Sequence, residues 1–134
     1  MANEAVIIEL LGHTKGRPIR FACADATAIP KGTLCTIDNP RLAVPMAADT
    51  DFEGIAASEK VANDGQESIS LYTHGIFDLK SDANGITAGA SCDANGINII
   101  VTSDANGRLK AGRVIALETA GANEVIACLM GSGF

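Results

Sequence analysis

The sequence predicts an all-β fold, a compact β-barrel or sandwich, and three observations predict it. Short runs rich in Val, Ile, Leu and Thr recur along the 134 residues, each bounded by Gly, Pro, Asn or Asp. The clearest of these runs alternate with a period of two rather than 3.6. Aromatic residues are scarce, with four Phe, one Tyr and no Trp, so the core has to be assembled from Ala, Val, Ile and Leu. A chain of this length fits one domain.

Taken in order, the expected strands are Val6–Leu11, Pro18–Ala22, Leu34–Ile37, Leu42–Pro45, Ile55–Ser58, Ser68–Tyr72, Gly75–Leu79, Ile97–Thr102, Gly112–Glu118 and Val125–Met130. Pro-Lys-Gly at 30–32, Asp-Asn-Pro at 38–40, Asn-Asp-Gly at 63–65 and Gly-Ala-Asn at 121–123 supply the turns between them. In "ESISLYT", Ile69, Leu71 and Thr73 alternate with polar or amphipathic neighbours, and "INIIVTS" is β-branched almost throughout. Around Ala56–Ala62 the clustering of Ala, Ser, Glu and Lys leaves a short helix as an alternative.

Residues 29–77 and 86–134 are two stretches of equal length in which Ile29 matches Ile86, Gly32 matches Gly89, Cys35 matches Cys92 and Phe77 matches Phe134. Small slips then align Gly54 with Gly112, Leu71 with Leu129 and Glu59 with Glu118. The order of strands and turns is the same in both. Two copies of this size are too few for a solenoid and suggest one closed domain with a pseudo-twofold axis. The expected organisation is an N-terminal arm with the first strands over 1–28, then a duplicated β domain over 29–134. Against that frame, the three Asp-Ala-Asn-Gly tetrapeptides beginning at Asp82, Asp93 and Asp104 fall at three unlike places: the linker, a hairpin and a loop before a strand. A calcium repeat needs equivalent positions with several converging oxygens, so these read as turns in which Asn and Gly accept positive φ.

Ten Lys and Arg oppose sixteen Asp and Glu, for a net charge of −6. Eight of the acids lie between residues 49 and 82, against Lys60 and Lys80 alone. Such a balance repels phosphate backbones, so nucleic acid is not an expected partner. No run of about 18 apolar residues is present, so no membrane partner is expected either. "AVIIELLG" lacks the basic start and small-residue site of a signal peptide, which points to synthesis in cytoplasm. There Cys23, Cys35, Cys92 and Cys128 would stay reduced, and their spacing does not suit zinc.

Catalysis needs a positioned acid, base or nucleophile. His13 lies in a Gly-flanked polar turn and His74 beside Gly75, and neither belongs to a recognisable triad or metal pattern. Glycine-rich phosphate loops and nucleophile elbows are absent from the sequence. No enzyme, cofactor or metal site is expected.

Four short elements have a familiar order: Gly54-Ile55-Ala56, Gly75-Ile76-Phe77-Asp78-Leu79, Gly85-Ile86-Thr87-Ala88-Gly89, and Ile115-Ala116-Leu117-Glu118 closed by Val125–Met130. Over residues 29–134 the chain resembles head decoration, or capsid cement, proteins of tailed viruses, and 54–79 is similar to the lambda-type decoration protein. The resemblance implies a β-tulip fold, a homotrimer on the outside of an icosahedral capsid, the major capsid protein as partner, and no catalytic residue. It also implies an N-terminal arm that touches the shell. In this sequence the arm carries the apolar run Val6, Ile7, Ile8, Leu10 and Leu11, then the bases Lys15, Arg17 and Arg20. An apolar strand beside a complete β domain needs cover. The cover is either a neighbouring subunit or capsid strand, by β-addition, or the chain's own domain. The rival to a structural virion protein is a small β-sandwich module binding a glycan or host surface, which the shortage of aromatic side chains disfavours.

Overall fold

The computed structural model describes residues 3–9, 18–46, 52–95, 98–102 and 114–131. Eleven strands are formed: β1 (Val6–Glu9), β2 (Ile19–Ala22), β3 (Leu34–Asp38), β4 (Leu42–Pro45), β5 (Gly54–Ala56), β6 (Ser68–Tyr72), β7 (Gly75–Ser81), β8 (Cys92–Ala94), β9 (Ile99–Thr102), β10 (Val114–Ala116) and β11 (Val125–Met130). Among the described residues there is no helix. The helical alternative over Ala56–Ala62 fails because sheet partners take the backbone there. Ala57 donates its N–H to Ser70, and Ile29 and Lys60 exchange both of their backbone hydrogen bonds. A helix would need those groups for its own i to i−4 ladder.

β2, β4, β3, β5 and β6 close, in that order, into a barrel. Its closing contact is parallel, Ala22 on Leu42; the other pairings are antiparallel. The lumen is filled by Cys23, Ile29, Cys35, Ala43, Ala56, Ile69 and Leu71. A five-stranded barrel is narrow, which explains why Ala and Cys stand where a wider core would take aromatics.

The remaining strands repeat the plan. β7 pairs with β11 antiparallel and with β9 in parallel, β8 and β10 pair antiparallel with β9 and β11, and a bridge between Ser91 and Ile115 joins the β8 and β10 ends. Details match as well. Gly32 donates to Ala56 as Gly89 does to Ala116, and both glycines have a φ of 88°. The Ile29–Lys60 bridge has its counterpart in Ile86–Ala120. Arg41, Asn63, Asn98 and Asn123 all have positive φ, and they fall into the matched pairs Arg41/Asn98 and Asn63/Asn123. Hydrogen bonding therefore groups β2 with the first unit and β7 with the second, whereas the sequence comparison set Phe77 at the end of the first copy. Chain order alone does not reveal which neighbour a strand will bond.

β1 lies outside both rings and pairs antiparallel with β7, Val6 opposite Asp78. The second unit and the outer face of the first share one buried cluster. It includes Leu34, Met46, Phe52 and Ile55 from the first, and Phe77, Leu79, Ile100 and Ile126 from the second.

The expected turns at 30–32, 38–40, 63–65 and 121–123 are all present. Asp82–Gly85 is also a turn: the Asp82 carboxylate accepts the Asn84 N–H at 3.0 Å, and Gly85 has a φ of 72°. The second tetrapeptide departs from the expectation. Asp93 and Ala94 are buried within β8, and the hairpin follows them, Asn95 donating to Ile99. The third tetrapeptide lies outside the described residues.

Candidate interaction surface

His13 lies outside the described residues, and His74 Nδ1 shares a 2.9 Å hydrogen bond with the Thr73 hydroxyl. Among the described residues no group of three His, Cys, Asp or Glu side chains is placed to hold a metal.

The described cysteines are buried and unpaired by disulfides. Burial pushes the Cys35 thiol up to about 12 and raises Cys23 as well. Cys92 donates to the Ala90 carbonyl and Cys128 to the Ile126 carbonyl, and the neighbouring Cys92 thiol together with burial holds Cys128 above the ordinary thiol range. Cys23, Cys35 and Cys128 are therefore poor nucleophiles.

Lys60 is the one buried base among the described residues, 1% exposed. Its ammonium donates to the Asp25 and Val61 carbonyls, each at 2.9 Å, and to the Asp64 and Asp25 carboxylates at 2.7 and 3.3 Å. Burial works against the charge, but the Asp64 and Asp25 bonds outweigh it, so the ammonium titrates above its ordinary value. Lys60 also holds Asp64 below the ordinary carboxylate range. In the second unit Ala120 takes the place of Lys60, and the Ser81 hydroxyl reaches the matching carbonyls of Asp82 and Gly121 at 3.1 and 2.9 Å. The site is a structural tie at the mouth of a barrel, with a hydroxyl doing in one copy what an ammonium does in the other.

What the chain offers to the outside is surface. The start of the arm is wedged between the two units. Ala5 donates to the Gly32 carbonyl at 2.7 Å, and Glu4 accepts from Asn98 Nδ2 at 3.4 Å. Asn98, in turn, accepts the buried Leu34 N–H at 2.9 Å, so one side chain ties the arm, the first barrel and the second unit. An open hollow of about 380 Å³ lies here, lined by Ala5, Val6, Lys31, Gly32, Ile55 and Ala56.

The expected contact residues are spread over more than one element. The backbones of Val6, Ile7 and Ile8 are in β1, where Val6 and Ile7 pair with the chain's own β7 and Ile8 falls at a break in the register, and the Val6 side chain is 57% exposed. Arg20 is on β2 of the first barrel, exposed, and its carbonyl accepts from Arg41 Nε at 3.1 Å. Leu10, Leu11, Lys15 and Arg17 lie outside the described residues. Between the two alternatives for covering Val6–Leu11, the chain's own sheet covers one edge of Val6–Glu9. Apart from β7, no described strand pairs with β1.

The described residues thus form two matched all-β units with an apolar edge strand beside them. Residues 13–129 match the phage cement protein family. The chain belongs to that family. No curated protein matches it. A cement protein is a structural component of the phage capsid, so this chain's setting is the virion and its association is with the capsid. The bearing of Asn98 and Gly32 on this surface was not among the sequence expectations. The match of Gly32 with Gly89 was the one signal of it in the sequence.

Proposed function

We propose that this protein decorates the outer surface of an icosahedral phage capsid as a homotrimer, binding the major capsid protein and stabilising the shell. Family membership over residues 13–129 is the observation that carries this reading. Its mechanism is mass action: each bound copy favours the assembled shell over its separated parts by the free energy of binding. The capsid contact runs along the arm, through Val6, Ile7, Ile8, Leu10 and Leu11, with Lys15, Arg17 and Arg20 supplying charge. β1 supports this as an edge strand: β7 takes one side, and an extended capsid segment adds to the other. The excess of acidic residues supports a protein partner over nucleic acid or an anionic membrane. Synthesis takes place in the host cytoplasm, and the buried thiols need no oxidising compartment.

The test is co-sedimentation with expanded shells that lack the protein. Wild type should pellet at a fixed stoichiometry and raise the temperature at which the shells fall apart. Lys15→Glu combined with Arg17→Glu and Arg20→Glu should weaken binding without changing the melting of the free protein. Wild type that stays in the supernatant at saturating concentration would remove the decoration reading; a triple variant that binds at full strength would move the contact off the arm.

A further inference from the structure

The two units of the chain meet through a contact with direction. The first barrel contributes a face, Leu34, Ile55 and Tyr72. The second contributes a seat, in which Phe77 lies 6.0 Å from the Tyr72 ring and Asn98 accepts the Leu34 N–H. Leu34, Ile55 and Phe77 are at most 1% exposed.

Because the strands pair alike in both units, each of these features has a counterpart. Ile115 and Leu129 match Ile55 and Tyr72, giving the second unit a face of its own. Ile19 pairs with Leu71 as Phe77 pairs with Cys128, and Arg41 stands where Asn98 stands, so the first barrel has a seat of the same build, with a guanidinium donor in place of the amide acceptor. Among the described residues neither counterpart is covered. Ile19 is 41% exposed where Phe77 is fully buried. Phe21 is half-buried, with the Arg41 guanidinium 5.2 Å from its ring centroid, and an open hollow of about 450 Å³ lies beside it.

The unused face points outward and is largely apolar, with Asp78 and Lys80 of β7 set among its side chains. Ile76, Ile115 and Leu129 are half-buried, and Leu117 and Val125 are 44% and 60% exposed. In the first barrel the positions that match Val125 and Ala127 are Ser68 and Ser70. The fold therefore accepts polar residues there, and the apolar set has another cause. An exposed apolar cluster bordered by polar side chains marks an interface.

We infer that the face of β10, β11 and β7 in one copy docks on the Ile19–Phe21–Arg41 seat of a second copy, head to tail, repeating between chains the contact that joins the units within a chain. The occupant is a second copy because the same chain carries both halves of the contact and already shows how they fit. A heterologous contact that closes makes a ring. Three two-unit chains would place six like units around it, with contacts alternating within and between chains. This deepens the trimeric capsid reading by naming the surface that would hold the trimer, and it rests on that reading.

Light scattering on the free protein, without shells, tests it. Wild type should be a trimer. Val125→Glu with Leu129→Glu disables the face, and Ile19→Glu disables the seat. All three side chains are partly exposed, and circular dichroism should show both proteins folded. Val125→Glu alone, at the most exposed of the positions, serves if the double variant does not fold. Each should be monomeric, with the association constant lowered about 30-fold or more. Mixed in equal amounts they should form a dimer and nothing larger, since one intact seat then meets one intact face. A monomeric wild type, a face variant that stays trimeric, or a mixture of folded variants that stays monomeric would each overturn the inference. Binding to shells, measured separately, judges the decoration reading: a monomeric wild type that still pellets with shells would sink the self-contact alone.

Discussion

Gly32 and Gly89 make a matched experiment inside one chain. Both have a φ of 88°, a region that costs an L-residue about 1–2 kcal/mol. Their surroundings differ. A Cβ at Gly89 would meet nothing within 4 Å, whereas at Gly32 it would come within 2.6 Å of the Ala5 carbonyl oxygen and 2.7 Å of Glu4 Cβ. Gly89→Ala should therefore cost only the backbone strain, about 1.5 kcal/mol. Gly32→Ala carries the same strain and also pushes the start of the arm off the barrel. That breaks the Ala5–Gly32 hydrogen bond and loosens the Glu4–Asn98 contact. With about 1 kcal/mol for the hydrogen bond and some lost packing, the total is about 3 kcal/mol. At about 4 °C per kcal/mol for a chain of this size, the falls in Tm are about 6 and 12 °C. Urea unfolding of both variants measures the difference, and hydrogen exchange on the Val6–Glu9 amides locates it: only Gly32→Ala should lose protection there. Equal destabilisation of the two, or an arm that keeps its protection in Gly32→Ala, would refute the claim that Gly32 is the arm's anchor point.

Asn98→Ala should cost about 2–4 kcal/mol by urea unfolding, because it leaves the Leu34 N–H without this acceptor and puts a Cβ residue without a side-chain amide at a φ of 57°; wild-type stability would show that the side chain ties nothing. Lys60→Met should lower Tm at neutral pH and flatten its pH dependence. Asp64 titrates below its ordinary value of 3.8, so its contribution is present above that pH and is lost as pH falls through the lowered value. Lys60 titrates above 10.5, so its contribution is complete below that pH and is lost as pH rises through the raised value. Melts of wild type and variant from pH 2 to 11 check both limbs, and identical profiles would mean that the ion cluster contributes nothing.

Much of the fold was legible because its signals are local. Period-two runs such as Ser68–Tyr72 and Val125–Met130 became strands, and Asn63 and Asn123 took the positive φ that turns of their kind need. β8 was not legible: Cys92-Asp93-Ala94 has no β-branched residue and carries an acid that proves to be 1% exposed. The burial of Lys60 was not legible, because a sequence shows charge but not whether two carboxylates and two carbonyls converge on it. Pairing partners were the other blind spot. Nothing in "VIIE" names β7 as its neighbour, and nothing in Phe77 says that β7 opens the second unit rather than ending the first.

The place of β1 has a consequence for the order of events during synthesis. β2 to β6 are complete once Tyr72 is made, so the first barrel can close on contacts already within reach. β1 leaves the ribosome before any of them, yet its partner begins only at Gly75. Until then Val6, Ile7 and Ile8 form a bare strand, the kind of segment that seeks a partner in other nascent chains. β1 thus waits on β7, and seating it signals that the second unit has begun to arrive.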